Sequence, residues 1–317
     1  MTISDHTEHI LTFACPEKLG IVHSITEVLV QQRQEIIDLK QFGDRNSQRF
    51  FLRVHFACEG GSAVSTQALR EAFAPLAEQY RAELTVEPKD RKRRVLLMVS
   101  KSEHCLNDLM FRARVGELPI EVVAVVSNHD DHRDLVEWHG IPYHHIPVTP
   151  ATKPQAEAEL LKLRERYDVE LVVLARYMQV LSSRLVEDMA GEVINIHHSF
   201  LPSFKGARPY HQAYEKGVKT VGATAHYVNA ELDEGPIIAQ QVVEVDHTFD
   251  AADLAAAGRD TERKALANAV KWHCEGRVFL NGNRTVVLKQ ARRSAPGRAE
   301  RPNQASMTTA VISGALR

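Results

Sequence analysis

Hydrophobic and polar positions in the first third of the chain alternate between a strand-like and a helix-like rhythm. Residues 9–14 read as a strand, with every second residue apolar. Ile21, Val22, Ile25, Val28 and Leu29 then fall on one face of a helix predicted over 21–31. Strands are predicted over 36–42 and 49–57, separated by the turn-prone Gly43-Asp44-Arg45-Asn46. Leu69, Phe73, Leu76 and Ala77 share a face of a helix over 66–80, and a short strand over 82–87 closes the segment. The order β-α-β-β-α-β predicts a ferredoxin-like sandwich.

The pattern breaks at Pro88-Lys89-Asp90-Arg91-Lys92-Arg93-Arg94, which reads as a solvated linker over residues 88–94. Beyond it, strands without polar alternation (95–100, 120–127, 171–175, 193–196) are interleaved with helices (103–114, 132–139, 155–167, 182–189). Apolar strands alternating with helices predict a mostly parallel sheet covered on both faces, of Rossmann-like type. A strand pair over 222–228 and 235–245, a helix over 252–276 and a hairpin over 277–288 turning at Asn281-Gly282-Asn283 complete this segment. After Leu288 the periodicity is lost. Residues 289–317 carry Lys289, Arg292, Arg293, Arg298, Arg301 and Arg317 against the single acid Glu300, and are predicted to lack fixed structure.

Composition narrows the function classes. The net charge of −2 argues against a nucleic-acid partner. Cys15, Cys58, Cys105 and Cys274 are scattered, which fits a reducing cytoplasm rather than a disulfide framework or a zinc ribbon. No apolar run reaches membrane-spanning length, so no membrane partner is expected. His129, His132, His139, His144 and His145 lie among Asp130, Asp131 and Asp134, but at spacings that match no metal-ligand set, and no metal is expected there.

The residues best placed for chemistry are Asn195 and His197. They lie at the carboxyl end of a predicted parallel strand, where open α/β sheets hold their ligands. Two residues apart on an extended segment, they face the same way, with Ile196 turned into the sheet. An amide can stabilise an oxyanion and an imidazole can move protons near neutral pH. Asp233, in a later loop, could orient a water and bias that imidazole. The three together suit attack on a carbonyl without a covalent intermediate.

The run Asn195-Ile196-His197-His198-Ser199-Phe200-Leu201-Pro202-Ser203-Phe204-Lys205-Gly206, followed by Leu232-Asp233-Glu234-Gly235-Pro236-Ile237-Ile238, resembles the folate-dependent formyltransferase family. The resemblance covers roughly residues 94–288 and implies that Asn195, His197 and Asp233 are catalytic. It further implies that Arg176, Tyr177, Met178, Val180 and Leu181, in the run Ala175–Leu181, line a pterin pocket. His198 and His226 are expected beside them, His198 as an extra polar group near the reacting water. Pro16-Glu17-Lys18-Leu19-Gly20-Ile21-Val22 resembles the turn of an ACT domain. That resemblance implies an ACT domain over 7–87 and a homo-oligomer, and the formyltransferase resemblance implies a catalytic domain over 95–288.

The two segments together resemble the formyltetrahydrofolate deformylase family. This implies hydrolysis of 10-formyltetrahydrofolate to formate and tetrahydrofolate, supplying formate for purine synthesis and balancing the one-carbon pool. The folate is substrate, and no other cofactor is implied. Methionine or glycine is the implied effector, at Leu19, Gly20 and Ile21. Where transferases of the family hold an acceptor phosphate on a glycine-rich loop, this chain reads Ser100-Lys101-Ser102-Glu103, with no glycine and an acid. The alternative is a formyltransferase acting on an amine acceptor, which would share Asn195, His197 and Asp233.

Overall fold

The computed structural model describes residues 5–201 and 209–289. Pro202–Gly206 of the long motif, and the tail from residue 290 on, lie outside the described residues. The first unit contains β1 (Glu8–Pro16), α1 (Ile21–Gln31), β2 (Gln34–Asp44), β3 (Arg49–Cys58), α2 (Thr66–Tyr80) and β4 (Glu83–Pro88). The strands form an antiparallel sheet in the order β2-β3-β1-β4, which is the ferredoxin-like arrangement. Leu11, Phe13 and Cys15 of β1 and Leu52, Val54 and Phe56 of β3 point to the face covered by Ile21, Ile25 and Leu29 of α1 and Leu69 and Phe73 of α2. Both helices have the predicted bounds because both have definite ends. Gly20 sits left-handed at φ 90° before α1, and the Ser65 hydroxyl accepts the Ala68 N–H before α2. The two-residue strands Asp5–His6 and Val64–Ser65 also pair.

The second unit contains β5 (Arg93–Val99), α3 (His104–Arg114), β6 (Ile120–Ser127), α4 (Arg133–Trp138), β7 (Tyr143–His145), α5 (Lys153–Arg166), β8 (Leu171–Leu174), α6 (Ser183–Asp188), β9 (Val193–His197), α7 (Pro209–Glu215), β10 (Thr220–Tyr227), β11 (Ile237–Glu244) and α8 (Ala251–Cys274). Its sheet runs β11-β10-β9-β8-β5-β6-β7, parallel from β9 to β7, with β10 and β11 antiparallel. β5 shows why its sequence has no polar alternation. Val95, Leu97 and Val99 pack with α3 and α8, while Leu96 and Met98 pack with α5 and α6. The chain leaves β5 toward β6 and β7 and returns on its other side as β8. The carboxyl ends of β5 and β8 therefore flank a topological switch point, where ligands bind.

The linker reading of residues 88–94 is corrected in two respects. Arg93 and Arg94 are not linker residues but the first residues of β5, paired in register with Ile120 and Glu121. Nor is the charge run solvated throughout, because Arg91 and Arg93 both bind Glu87 and Glu170, and these ion pairs let Arg93 enter the sheet end half-buried. Cys105, on the first turn of α3, is fully buried. β7 and α7 were not predicted; β7 is an edge strand of only three residues and α7 a helix of only seven.

The hairpin β12 (Val278–Asn281) and β13 (Arg284–Val287) turns at the predicted place and joins the two units. Phe279 and Leu288 pack on Ala14 and Phe51, on the first sheet's second face. Asn281 donates to the buried Asp44 at 2.7 Å, and Arg53 Nε donates to the Glu275 carbonyl at 2.9 Å.

Candidate active site

The antiparallel pairing of β9 with β10 brings the polar residues together. Asn195 lies opposite His226, and His197 lies opposite Thr224. Asn195 Nδ2 is 3.3 Å from His226 Nε2. His226 Nδ1 is 2.8 Å from the Tyr227 carbonyl, which can only accept, so Nδ1 carries a proton. The ring's Nε2 is thereby turned toward Asn195 and toward Asp233, whose Oδ1 is 3.6 Å away.

Asp233 also faces His197, with Oδ2 3.1 Å from Nδ1. A carboxylate only accepts, so the His197 proton sits on Nδ1 and Nε2 keeps a lone pair in the neutral ring. That Nε2 lies 2.8 Å from the Ser199 hydroxyl. Burial opposes ionisation of Asp233, but the hydrogen bond from His197 and the proximity of the two imidazoles outweigh it and hold the carboxyl far below its ordinary range. The loop that delivers Asp233 is tightly constrained. Asp233 itself is left-handed at φ 58°, a strained conformation for a side-chain-bearing residue. At Gly235 an added Cβ would stand 1.7 Å from the Tyr227 carbonyl oxygen, so only glycine lets the loop press onto β10.

These groups open onto a cavity of about 650 Å³. Arg176, Tyr177, Met178, Val180 and Leu181 line one wall, Leu232 and neighbouring residues of the Asp233 loop line another, and Asn195, His197, His198 and His226 stand at the end. The segment after β8 is anchored across the switch point. The Ser100 N–H donates to the Arg176 carbonyl at 3.1 Å, and the Met178 N–H donates to the Ser100 hydroxyl at 2.9 Å. His198 stacks on His197 with ring centroids 5.1 Å apart. Burial, the Arg176 charge and His197 lower its pKa to about 4, so it is a neutral ring at physiological pH.

The structure thus brings the predicted run Arg176–Leu181 and the five other predicted site residues, Asn195, His197, His198, His226 and Asp233, to one cavity. The turn at Leu19, Gly20 and Ile21 belongs to the other unit. Leu19 is fully exposed, whereas Ile21 buries its side chain in the core and offers a ligand only its backbone.

Sequence reasoning missed Tyr210 and Glu262. Glu262 is a buried carboxylate that accepts from His104 at 2.8 Å and from Tyr210 at 2.8 Å, with Arg176 Nε 3.4 Å away. The one signal in the sequence was an acid falling on the apolar face of a long helix, in line with Gly258, Ala265 and Ala269, and its partners could not be read from it. Among the described residues, His104, Cys105 and Glu262 are the one group near enough to share a metal ion. Glu262 is already committed to His104, Tyr210 and Arg176, and burial pushes the Cys105 thiol pKa well up, so this set does not suit a cation. Of the histidines rejected as metal ligands, His144 bonds Tyr167, His132 faces Glu103 and His145 faces Asp130.

The sequence profile of the formyl transferase family matches residues 93–270. A formyltetrahydrofolate deformylase of Corynebacterium sp. (strain P-1) is 62% identical over 288 residues, covering 90% of this chain and 100% of the relative. The chain belongs to the formyltetrahydrofolate deformylase family. A crystal structure of a deformylase from Burkholderia mallei superposes with a TM-score of 0.86 at 48% identity, covering 89% of this chain and 100% of that one. A glycinamide ribonucleotide transformylase from Symbiobacterium toebii matches only 62% of this chain, at 31% identity and a TM-score of 0.59, although 95% of its own length is covered. Both units of this chain are therefore shared with the deformylase family, whereas that transformylase spans a smaller part.

Proposed function

We propose that the protein hydrolyses 10-formyltetrahydrofolate to formate and tetrahydrofolate at the cavity bounded by Arg176–Leu181 and the Asp233 loop. The observation that carries this reading is the convergence of Asn195, His197 and Asp233 at the end of a mostly apolar slot large enough for a flat heteroaromatic ring. Asp233 fixes the His197 tautomer and leaves Nε2 free to act as base once Ser199 yields its place to a water.

His197 takes a proton from that water as its oxygen bonds to the formyl carbon. The carbonyl oxygen becomes an oxyanion, held by the Asn195 N–H that His226 does not occupy. His197 returns its proton to N10 as the C–N bond breaks, and formic acid leaves as formate after ionising. Folate and water are the only reactants in this scheme. Asn195, His197 and Asp233 are the catalytic residues, His226 and Ser199 hold them in place, and Arg176, Tyr177, Met178, Val180, Leu181 and His198 bind substrate.

Two finer features complete the proposal. β2 is an edge strand with Ile36, Ile37 and Phe42 exposed, which supports sheet pairing between subunits of a homo-oligomer. The left-handed Gly20 before α1 supports an amino-acid effector, methionine or glycine, whose carboxylate meets the helix N-terminus. Among the described residues no helix is long and apolar enough to cross a membrane. The test is purified protein with 10-formyltetrahydrofolate alone: formate and tetrahydrofolate should appear in equal amounts. No formate until an amine is added would favour the transferase alternative.

A further inference from the structure

The reaction as proposed sets a problem of selectivity. A formyl group poised for attack by water is equally open to an amine, which is the stronger nucleophile. The structure supplies a partition between the catalytic cavity and the surface beyond the carboxyl end of β5. The catalytic cavity includes Arg176, His198 and Tyr210 in its lining. On the other side of Glu262 an open depression of about 390 Å³ is lined by Glu103, His104, Asn107 and Asp108, beyond the carboxyl end of β5. Glu262 lies between the two. It receives His104 from the depression side and Tyr210 and Arg176 from the cavity side.

Within the partition, Arg176 is both strained and under-bonded. Arg176 is left-handed at φ 67°, and its buried Nε has no hydrogen-bond partner among the described residues, its Glu262 contact being 3.4 Å. The Tyr210 ring lies on α8 at Gly258, where an added Cβ would be 2.0 Å from the hydroxyl oxygen. The ring then continues through His198, at 6.3 Å between centroids, to His197 itself. Burial raises the Glu262 pKa, but the His104 hydrogen bond and the Arg176 charge outweigh it and keep the group ionised.

We propose that Arg176, Tyr210 and His104, gathered on the buried Glu262, form a wall that denies amines the approach to the formyl carbon and leaves water as the acceptor. The inference rests on the hydrolytic reading above. With an amine in place of water, the amine nitrogen would bond to the formyl carbon, the N10–C bond would break, and the proton lost by the amine would pass through His197 to N10.

Full-length wild type, Tyr210→Ala and Gly258→Ala are incubated with 10-formyltetrahydrofolate and either hydroxylamine or glycinamide, and the ratio of formylated amine to formate is measured. Gly258→Ala lies outside the catalytic groups, favours the helix, and displaces the Tyr210 ring by its methyl alone. Wild type should give formate almost exclusively, and both variants should raise the ratio at least tenfold. Glycinamide should respond more than the smaller hydroxylamine. A partition ratio does not move when a variant merely loses stability, because both products come from the same folded population. An unchanged ratio in a folded Gly258→Ala protein, or a wild type that formylates amines as readily as the variants, would overturn the wall. A wild type that releases no formate without amine would instead overturn the hydrolytic reading.

Discussion

Asp233 is surrounded on two sides by imidazoles and half-shielded from water, so its ionisation links catalysis to stability. A carboxyl whose folded pKa lies below its unfolded one contributes stability above the ordinary carboxylate range. It loses that contribution as pH falls through the folded value. Asp233→Asn should therefore lower the melting temperature at pH 7, by the equivalent of about 1.5–3 kcal/mol for charged hydrogen bonds. The gap from wild type should hold until the pH enters the ordinary carboxylate range and narrow only below it, and thermal unfolding at several pH values checks this; a gap that widens on acidification would contradict it. Formate release should be nearly abolished in the same variant, because the asparagine amide no longer forces the His197 proton onto Nδ1. Asn195→Ala addresses a different step. Loss of one oxyanion donor typically costs about 10²–10³ in turnover, so kcat should fall by that factor while KM changes little. A fall confined to KM would make Asn195 a ground-state binding residue.

Between single residues and the whole lie the elements, where the register of β9 on β10 and the loop to β11 decide which side chains meet. Gly235 is the fixed point of that loop. Gly235→Ala would drive a methyl into the Tyr227 carbonyl, so the loop must lift and carry Asp233 away from both imidazoles. We expect kcat to drop at least a hundredfold, as for a misplacement of about 1 Å, while the far-UV circular dichroism stays unchanged; near-normal turnover would show that the loop tolerates displacement.

This scale also shows what the sequence could reveal. α1 and α2 begin where a left-handed glycine and a serine cap start them, and β5, β6, β8 and β9 announce themselves as unbroken apolar runs. Asn195 and His197 were legible because they are two apart on one strand, and Asp233 because it belongs to a long motif. Glu262 was not, since its partners His104, Arg176 and Tyr210 come from distant parts of the chain and only the folded sheet gathers them. The start of β5 was misplaced because Arg93 and Arg94 look solvated until Glu87 and Glu170 are seen beside them.

Over the whole molecule, the two sheets communicate through the end of α8 and the hairpin that follows it. Arg53 on the first sheet holds the Glu275 carbonyl, and Phe51 packs on Phe279 with centroids 5.6 Å apart. Two residues before Glu275, His273 is held neutral by burial and the Arg93 charge, its pKa lowered to about 4, and its Nδ1 accepts the Tyr227 hydroxyl at 2.7 Å. The Tyr227 carbonyl in turn receives the proton on His226 Nδ1. A change in how the first sheet seats on this corner therefore has a contiguous route to a group that touches both Asn195 and Asp233. If methionine or glycine binds at the Gly20 turn, it should shift the hydrolysis rate, and a coupling of typical size, about 1–3 kcal/mol, corresponds to roughly 5–150-fold. Gly20→Asp should blunt the response, because it forces a side chain onto a left-handed residue and sets a negative charge where the ligand carboxylate would lie. Tyr227→Phe removes only the hydroxyl that meets His273. It should leave effector binding intact while weakening its effect on rate. Calorimetric binding and rate titrations on wild type and both variants separate these outcomes. Flat titrations of the wild type at millimolar effector would confine the first unit to assembly, and a full response in Tyr227→Phe would place the coupling route elsewhere.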